Sequence, residues 1–329
     1  MPSRLTAALA PLIACAAWLV AGGTLAAPAP AAVTAATRVP APVAPSVASI
    51  PTAVGEVLVQ GHTPTPPSKT YDKTVHKYVE DTGHTGPLGQ ISRWWRPLCP
   101  MIAGISPGFG QFLVKRIREV AAEVGAPQNG ECGKGVNVLV VVTATPVELM
   151  ADVRDHHEDL LGFHGTHETR DLAVFEPAMK SWYVTGTSGP GYWVIDSPYA
   201  PQPWWGPSLK PPPLKSHIVF VLIVVDARLL EGQAIGPVAD KIAMLALSHP
   251  ALHEGCSPLP SVLEVLDPKC PPGAAPAALT SYDKEYLKAL YAYKGNEFRY
   301  FERRNIARSI EKHIGELPTS ASENLPAER

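Results

Sequence analysis

The segment DHHEDLLGFHGTHE, residues 155–168, gathers four histidines and four acidic residues, the side chains from which zinc and other transition-metal sites are built. A zinc-peptidase helix needs His-Glu-x-x-His, so that both imidazoles share one face. Here His157 is followed by Glu158, but the fourth residue on is Leu161. His164 and His167 lie past Gly162, where a turn is expected, and could fold back toward His157. The candidate metal ligands are therefore His157, His164 and His167, against the plainer reading of a histidine-rich helix end followed by a polar loop. A second motif, Gly186-Thr187-Ser188-Gly189, hints at a nucleophile elbow, but Pro190 stands in the register of its second glycine. Asp226 and Asp240 complete the candidates, as carboxylates for acid–base work beside a central strand.

These residues are positioned by elements that the apolar pattern marks. Phe109, Phe112, Leu113, Ile117, Val120, Ala121 and Val124 form one helical stripe, which Gly125 and Pro127 end. Residues 136–143 are too apolar for a solvated strand, so a central position is expected. Thr145-Pro146-Val147-Glu148 reads as a capping box that opens a helix from Pro146 to about Leu161. On that helix Leu149, Met150, Val153, Leu160 and Leu161 share a face, with His156 and His157 at its edges. Two aromatic runs flank a Gly/Ser/Pro turn in residues 179–198, the signature of a hairpin. Ile218 to Val225 is an unbroken apolar run suited to the middle of a sheet. A helix that is apolar nearly all round begins near Pro237, and two further helices end the chain. Residues 56–61 read as a short strand. The proline-rich stretch between the hairpin and the central run, with Trp204 and Trp205, reads as a long loop covering the sheet or rimming a site.

At the start of the chain, Arg4 precedes an apolar run and then small residues, the layout of a secretory signal over residues 1–27, with cleavage between Ala26 and Ala32. A lipid anchor at Cys15, within Leu-Ile-Ala-Cys, is the alternative. An Ala/Pro-rich spacer covers residues 28–54, one folded domain covers 55–315, and a polar tail covers 316–329. Export permits disulfides, and the pairings Cys99–Cys132 and Cys256–Cys270 each close a loop within one half of the chain. A formal net charge of −2 and the lack of a basic block argue against nucleic acid as a partner. Past the signal, no run is long enough to cross a membrane.

The strings RWWRPLCPMIAGIS, RIREVAAEVGAP, NVLVVVT, LLGFH, SWYVTG, VADKIAMLALS, LPSVLEVLD, LTSYDKEYLKALY and RRNIARSI together resemble an uncharacterised family of exported alphaproteobacterial proteins. The likeness implies a compartment and an outline, with no activity attached. The order of elements is also faintly similar to that of zincins. Laid on the zincin metal helix, Ala239 and Ala243 take the histidine positions and Asp240 that of the general base. That resemblance implies a scaffold without its metal.

The expectation is an α+β protein with a mixed, largely buried sheet packed with helices and a helical C-terminal part. It is exported, periplasmic or secreted. Its expected role is a non-enzymatic binding or structural scaffold at the cell envelope, with no cofactor. The alternative is a hydrolase, zinc-dependent and peptidase-like, that uses the Asp and His residues named above.

Overall fold

A computed structural model describes residues 69–86, 88–128, 132, 135–162, 170–175, 178–197, 214–251, 256–271, 273–293 and 299–314. The signal segment with Cys15, the spacer, the strand expected at 56–61, His164, His167, the loop with Trp204 and Trp205 and the polar tail lie outside these residues.

Five strands make one mixed sheet: β1 (Pro100–Ala103), β2 (Val138–Thr143), β3 (Met179–Gly189), β4 (Tyr192–Ile195) and β5 (Lys215–Asp226), in the order β1-β2-β5-β3-β4. β1, β2 and β5 run parallel, whereas β3 pairs antiparallel with both β5 and β4. β5 is central, as its apolar run requires, because both of its faces are covered. Val221, Ile223 and Val225 join one core cluster, while Phe220, Leu222 and Val224 join the other. Alternation along the strand divides them.

The larger cluster is closed by helices α1 (Lys69–Thr82), α2 (Pro107–Val124), α4 (Ile235–Leu247), α5 (Ser281–Ala292) and α6 (Arg299–Ile314). The smaller is closed by α3 (Pro146–His156) and the 3-10 turn Glu158–Leu161. In α4, every residue from Val238 to Leu247 is buried, as its all-round apolar pattern implies. The fold is α+β, with a helical C-terminal part.

Three local expectations are corrected. The capping box at Thr145 does not form. Its backbone N–H donates to Thr143 Oγ1 at 3.1 Å, so the group that Glu148 would have received is already taken. The helix there ends at His156, and Glu158–Leu161 continues as a separate 3-10 turn. Phe109 and Phe112 remain 52% and 41% exposed. The buried stripe of α2 starts only at Leu113, since the sheet beneath that end of the helix stops at the four-residue edge strand β1.

Gly104, just after β1, has φ +80°, and a Cβ there would stand 1.9 Å from the carbonyl oxygen of Val142. Only glycine lets the turn pass so close to β2. Disulfides join Cys99 to Cys132 and Cys256 to Cys270, the pairing expected. By loop-closure entropy the first, with a sequence separation of 33, contributes roughly 3–4 kcal/mol. Among the described residues no helix is long and apolar enough to cross a membrane.

Candidate functional site

Among the described residues, His157, Asp226 and Asp240 do not meet; His164 and His167 lie outside those residues. His156 ends α3 as an exposed side chain whose Nδ1 lies 2.9 Å from Asp152, one turn earlier. His157 caps the helix, its N–H donating to Val153. Asp226 caps the short turn after β5, accepting from the Arg228 backbone at 3.0 Å and side chain at 2.6 Å; that cation holds its carboxyl below the usual carboxylate range. Asp240 is buried in α4 and accepts from Arg116 Nε at 2.5 Å and from the Leu279 N–H at 2.7 Å. Both aspartates are thus occupied in holding the fold. Ala239 and Ala243 beside Asp240 are fully buried core residues.

The chemistry gathers instead at the open end of the β5-β3-β4 ribbon. Ser188 pairs with Lys215 across β5, and Gly186 pairs with His217. Residues two apart on a strand share a face, so Ser188, Lys215 and His217 lie together. Ser188 Oγ is 2.6 Å from His217 Nε2. Trp193, which pairs with Ser188 from β4, sets its ring edge-on to His217 at 4.8 Å. The segment Arg93-Trp94-Trp95-Arg96 runs beside β5 at this point, with Arg93 bridging to His217. The guanidinium of Arg96 stands 5.2 Å over the Trp193 ring, and Lys215 Nζ stands 4.1 Å over Trp95. Trp95 is fixed by an Nε1–H bond of 2.9 Å to the Ser216 carbonyl.

The electrostatics decide what this group can do. Burial first, and then Arg96, Lys215 and Arg93, push the His217 pKa down to about 4. A serine nucleophile needs the reverse: an imidazole oriented and made more basic by a carboxylate. Among the described residues none takes that place. The acid nearest Ser188 in sequence, Asp196, accepts from Thr187 Oγ1 at 2.8 Å on the other face of β3, and burial raises its pKa.

That other face holds a polar recess. Ser92 Oγ, Ser216 Oγ and Asp196 Oδ2 are buried without a hydrogen-bond partner among the described residues. A Cβ built on Gly86 would lie 3.4 Å from each hydroxyl and 3.6 Å from the carboxylate oxygen. Glycine at residue 86 keeps a methyl group away from three polar atoms. Elsewhere, an open groove of about 740 Å³ runs between β1 and α2, lined by Met101, Ile102, Ile105 and Val114, with Lys115 and Arg118 alongside. Lys115 and Glu119, both in its lining, form an exposed ion pair at 3.7 Å.

His217 gives a pH test. Its folded pKa of about 4 lies below the ordinary histidine value of 6.5, so below the higher value the unfolded chain binds the extra proton. The stability tied to its neutral state is complete above that value and is lost as pH falls from it toward the folded pKa. Urea melts of wild type and His217→Gln are expected to show a wild-type advantage near neutrality that shrinks steadily over this interval. An advantage that grows with acid would refute the assignment.

Sequence reasoning reached Ser188 through the elbow motif but missed His217, because the two lie far apart in the chain and only the β3/β5 register unites them. A hint was available in Lys215-Ser216-His217, three polar residues opening a strand that is otherwise apolar. No family model, curated protein or solved structure matches the chain. The functional reading therefore rests on this geometry.

Proposed function

We propose that the protein is an exported, non-enzymatic binding protein whose ligand is an anionic saccharide held at the Trp95/Arg96/Trp193/Lys215 face. The observation that carries this is the set of cations around His217. Burial first, and then these cations, hold the imidazole neutral and weakly basic, which disarms Ser188 as a nucleophile, and the cations favour a negative group. Arg96 and Lys215 have no carboxylate partner among the described residues, so a ligand carboxylate can bond to them. Trp193, 44% exposed, offers a flat apolar surface against which a sugar ring packs. Ser188 and neutral His217 add polar groups that fix orientation. Two disulfides agree with a destination outside the cytoplasm.

The test is titration of the full chain with oligogalacturonate, followed by tryptophan fluorescence and calorimetry. Binding that weakens with salt is expected, together with a loss of about tenfold in Arg96→Ala or Trp193→Ala. Equal binding of an uncharged oligosaccharide would remove the anion from the argument. The hydrolase reading has its own readout: a serine-directed fluorophosphonate should leave Ser188 unlabelled, and stoichiometric labelling there would replace a binding role with an enzymatic one.

A further inference from the structure

On the side of the molecule where the first and last described helices pack together, three side chains from α1 and α6 converge. Asp72 and His76 stand four residues apart on α1, the spacing that sets two side chains on one helical face. His76 Nε2 lies 3.4 Å from Asp72 Oδ1. Glu311 reaches them from α6, and one ligand atom from each of the three falls within 4.8 Å of the others.

An ordinary helical ion pair accounts for Asp72 and His76 but not for Glu311. Its carboxylate faces a second carboxylate, and its Oε1 is buried without a hydrogen-bond partner among the described residues. Two carboxylates forced together beside an imidazole are relieved by a divalent cation, which replaces their repulsion with bonds to a shared charge.

We propose that Asp72, His76 and Glu311 form a metal site that takes Zn²⁺ or a similar borderline transition-metal ion and ties α1 to α6. One imidazole with two carboxylates is a nitrogen–oxygen set, which suits zinc better than magnesium or calcium, since those ions prefer oxygen alone. Three protein ligands leave the remaining position to solvent. Asp72 and His76 keep 56% and 40% of their side-chain area exposed, so the ion has an entry path. The consequence is structural: α1 is the first helix of the described chain, and the metal pins it to the last.

The experiment uses the full chain without a histidine tag, stripped with EDTA and titrated with Zn²⁺ by calorimetry, with thermal melts alongside. Wild type is expected to bind in a saturable step and to melt at higher temperature with zinc. His76→Ala and Glu311→Gln should each lose at least about tenfold in affinity. His156→Ala, which alters the other Asp/His pair of this spacing, should bind as wild type. His76 is only partly buried and Gln keeps the shape of Glu, so both variants should fold, as far-UV circular dichroism will confirm. The proposal is overturned if wild type shows no saturable step up to about 100 µM zinc, if either α1/α6 variant retains wild-type affinity, or if His156→Ala abolishes binding.

Discussion

Replacing Glu302 by alanine is expected to destabilise the protein by about 3–5 kcal/mol, because it strands a buried cation. Glu302 is 1% exposed, and Arg93 is 3% exposed. Their side chains meet at 2.7 Å, and the second carboxylate oxygen accepts from the Ile91 N–H at 2.8 Å. Burial raises the Glu302 pKa, while Arg93 and Ile91 pull it the other way. The remaining demands of the Arg93 guanidinium are met by π faces, 4.6 Å from Trp95 and 5.0 Å from Tyr293. Removing the carboxylate therefore leaves Arg93 with nothing of opposite charge among the described residues.

The same change reaches the binding face. Arg93 opens the segment that carries Trp95 and Arg96, so loosening it should weaken oligogalacturonate binding although Glu302 does not line that face. Chemical denaturation measures the first effect and calorimetry the second. Arg93→Met offers a contrast: with Glu302→Gln in the same chain it removes both charges and keeps apolar bulk. That double variant should recover much of the loss. A double variant no more stable than Glu302→Ala would show that the cost came from lost packing and not from an unpaired charge.

How much of this was legible in the sequence depended on how each element earns its place. β5 announced itself because burial on both faces leaves no polar position to confuse the pattern. α4 did so for the same reason. The hairpin was legible from the Pro190-Gly191 turn between aromatic runs, and the two cysteine pairs from loop closure within each half of the chain. α1 was missed. Its buried face is Tyr71, Val75, Tyr78 and Val79, spaced for a helix but set among lysines, acids and a histidine, so the segment reads as polar. The capping box failed by competition, since a threonine two residues earlier satisfied the same N–H.

Of the histidine-rich segment, only His156 and His157 fall among the described residues. Histidine density is a property of one segment, whereas a ligand set is a property of the fold. His156 and His157 remain on the rim of a short helix, while His217, in no cluster of the sequence, is the imidazole brought to a serine. Asp72 and His76 were unremarkable at four residues apart until α6 supplied Glu311. Cross-strand register and helix pairing, which no local pattern encodes, created both constellations.

Asp283→Ala is expected to cost roughly 4 kcal/mol, since one buried carboxylate organises three elements and its loss leaves several donors without an acceptor. Oδ1 accepts from Tyr78 of α1 at 2.9 Å and from Ser261 at 2.6 Å. Oδ2 accepts from the Val262 N–H at 2.9 Å and from both the Thr280 N–H and its hydroxyl, at 3.1 and 2.8 Å. With Thr280 it forms the capping box that starts α5. The two sides of the carboxylate differ in kind. Oδ2 faces backbone N–H groups, which can only donate, whereas Oδ1 faces hydroxyls, which can turn and accept. Asparagine can therefore keep its oxygen on the backbone side and offer its NH₂ to Tyr78 and Ser261. Asp283→Asn should lose less than half as much as the alanine variant. Urea denaturation of the three proteins measures this. Equal losses in Asn and Ala would mean that the negative charge, and not the pattern of acceptors, holds α1, the 262–264 turn and α5 together.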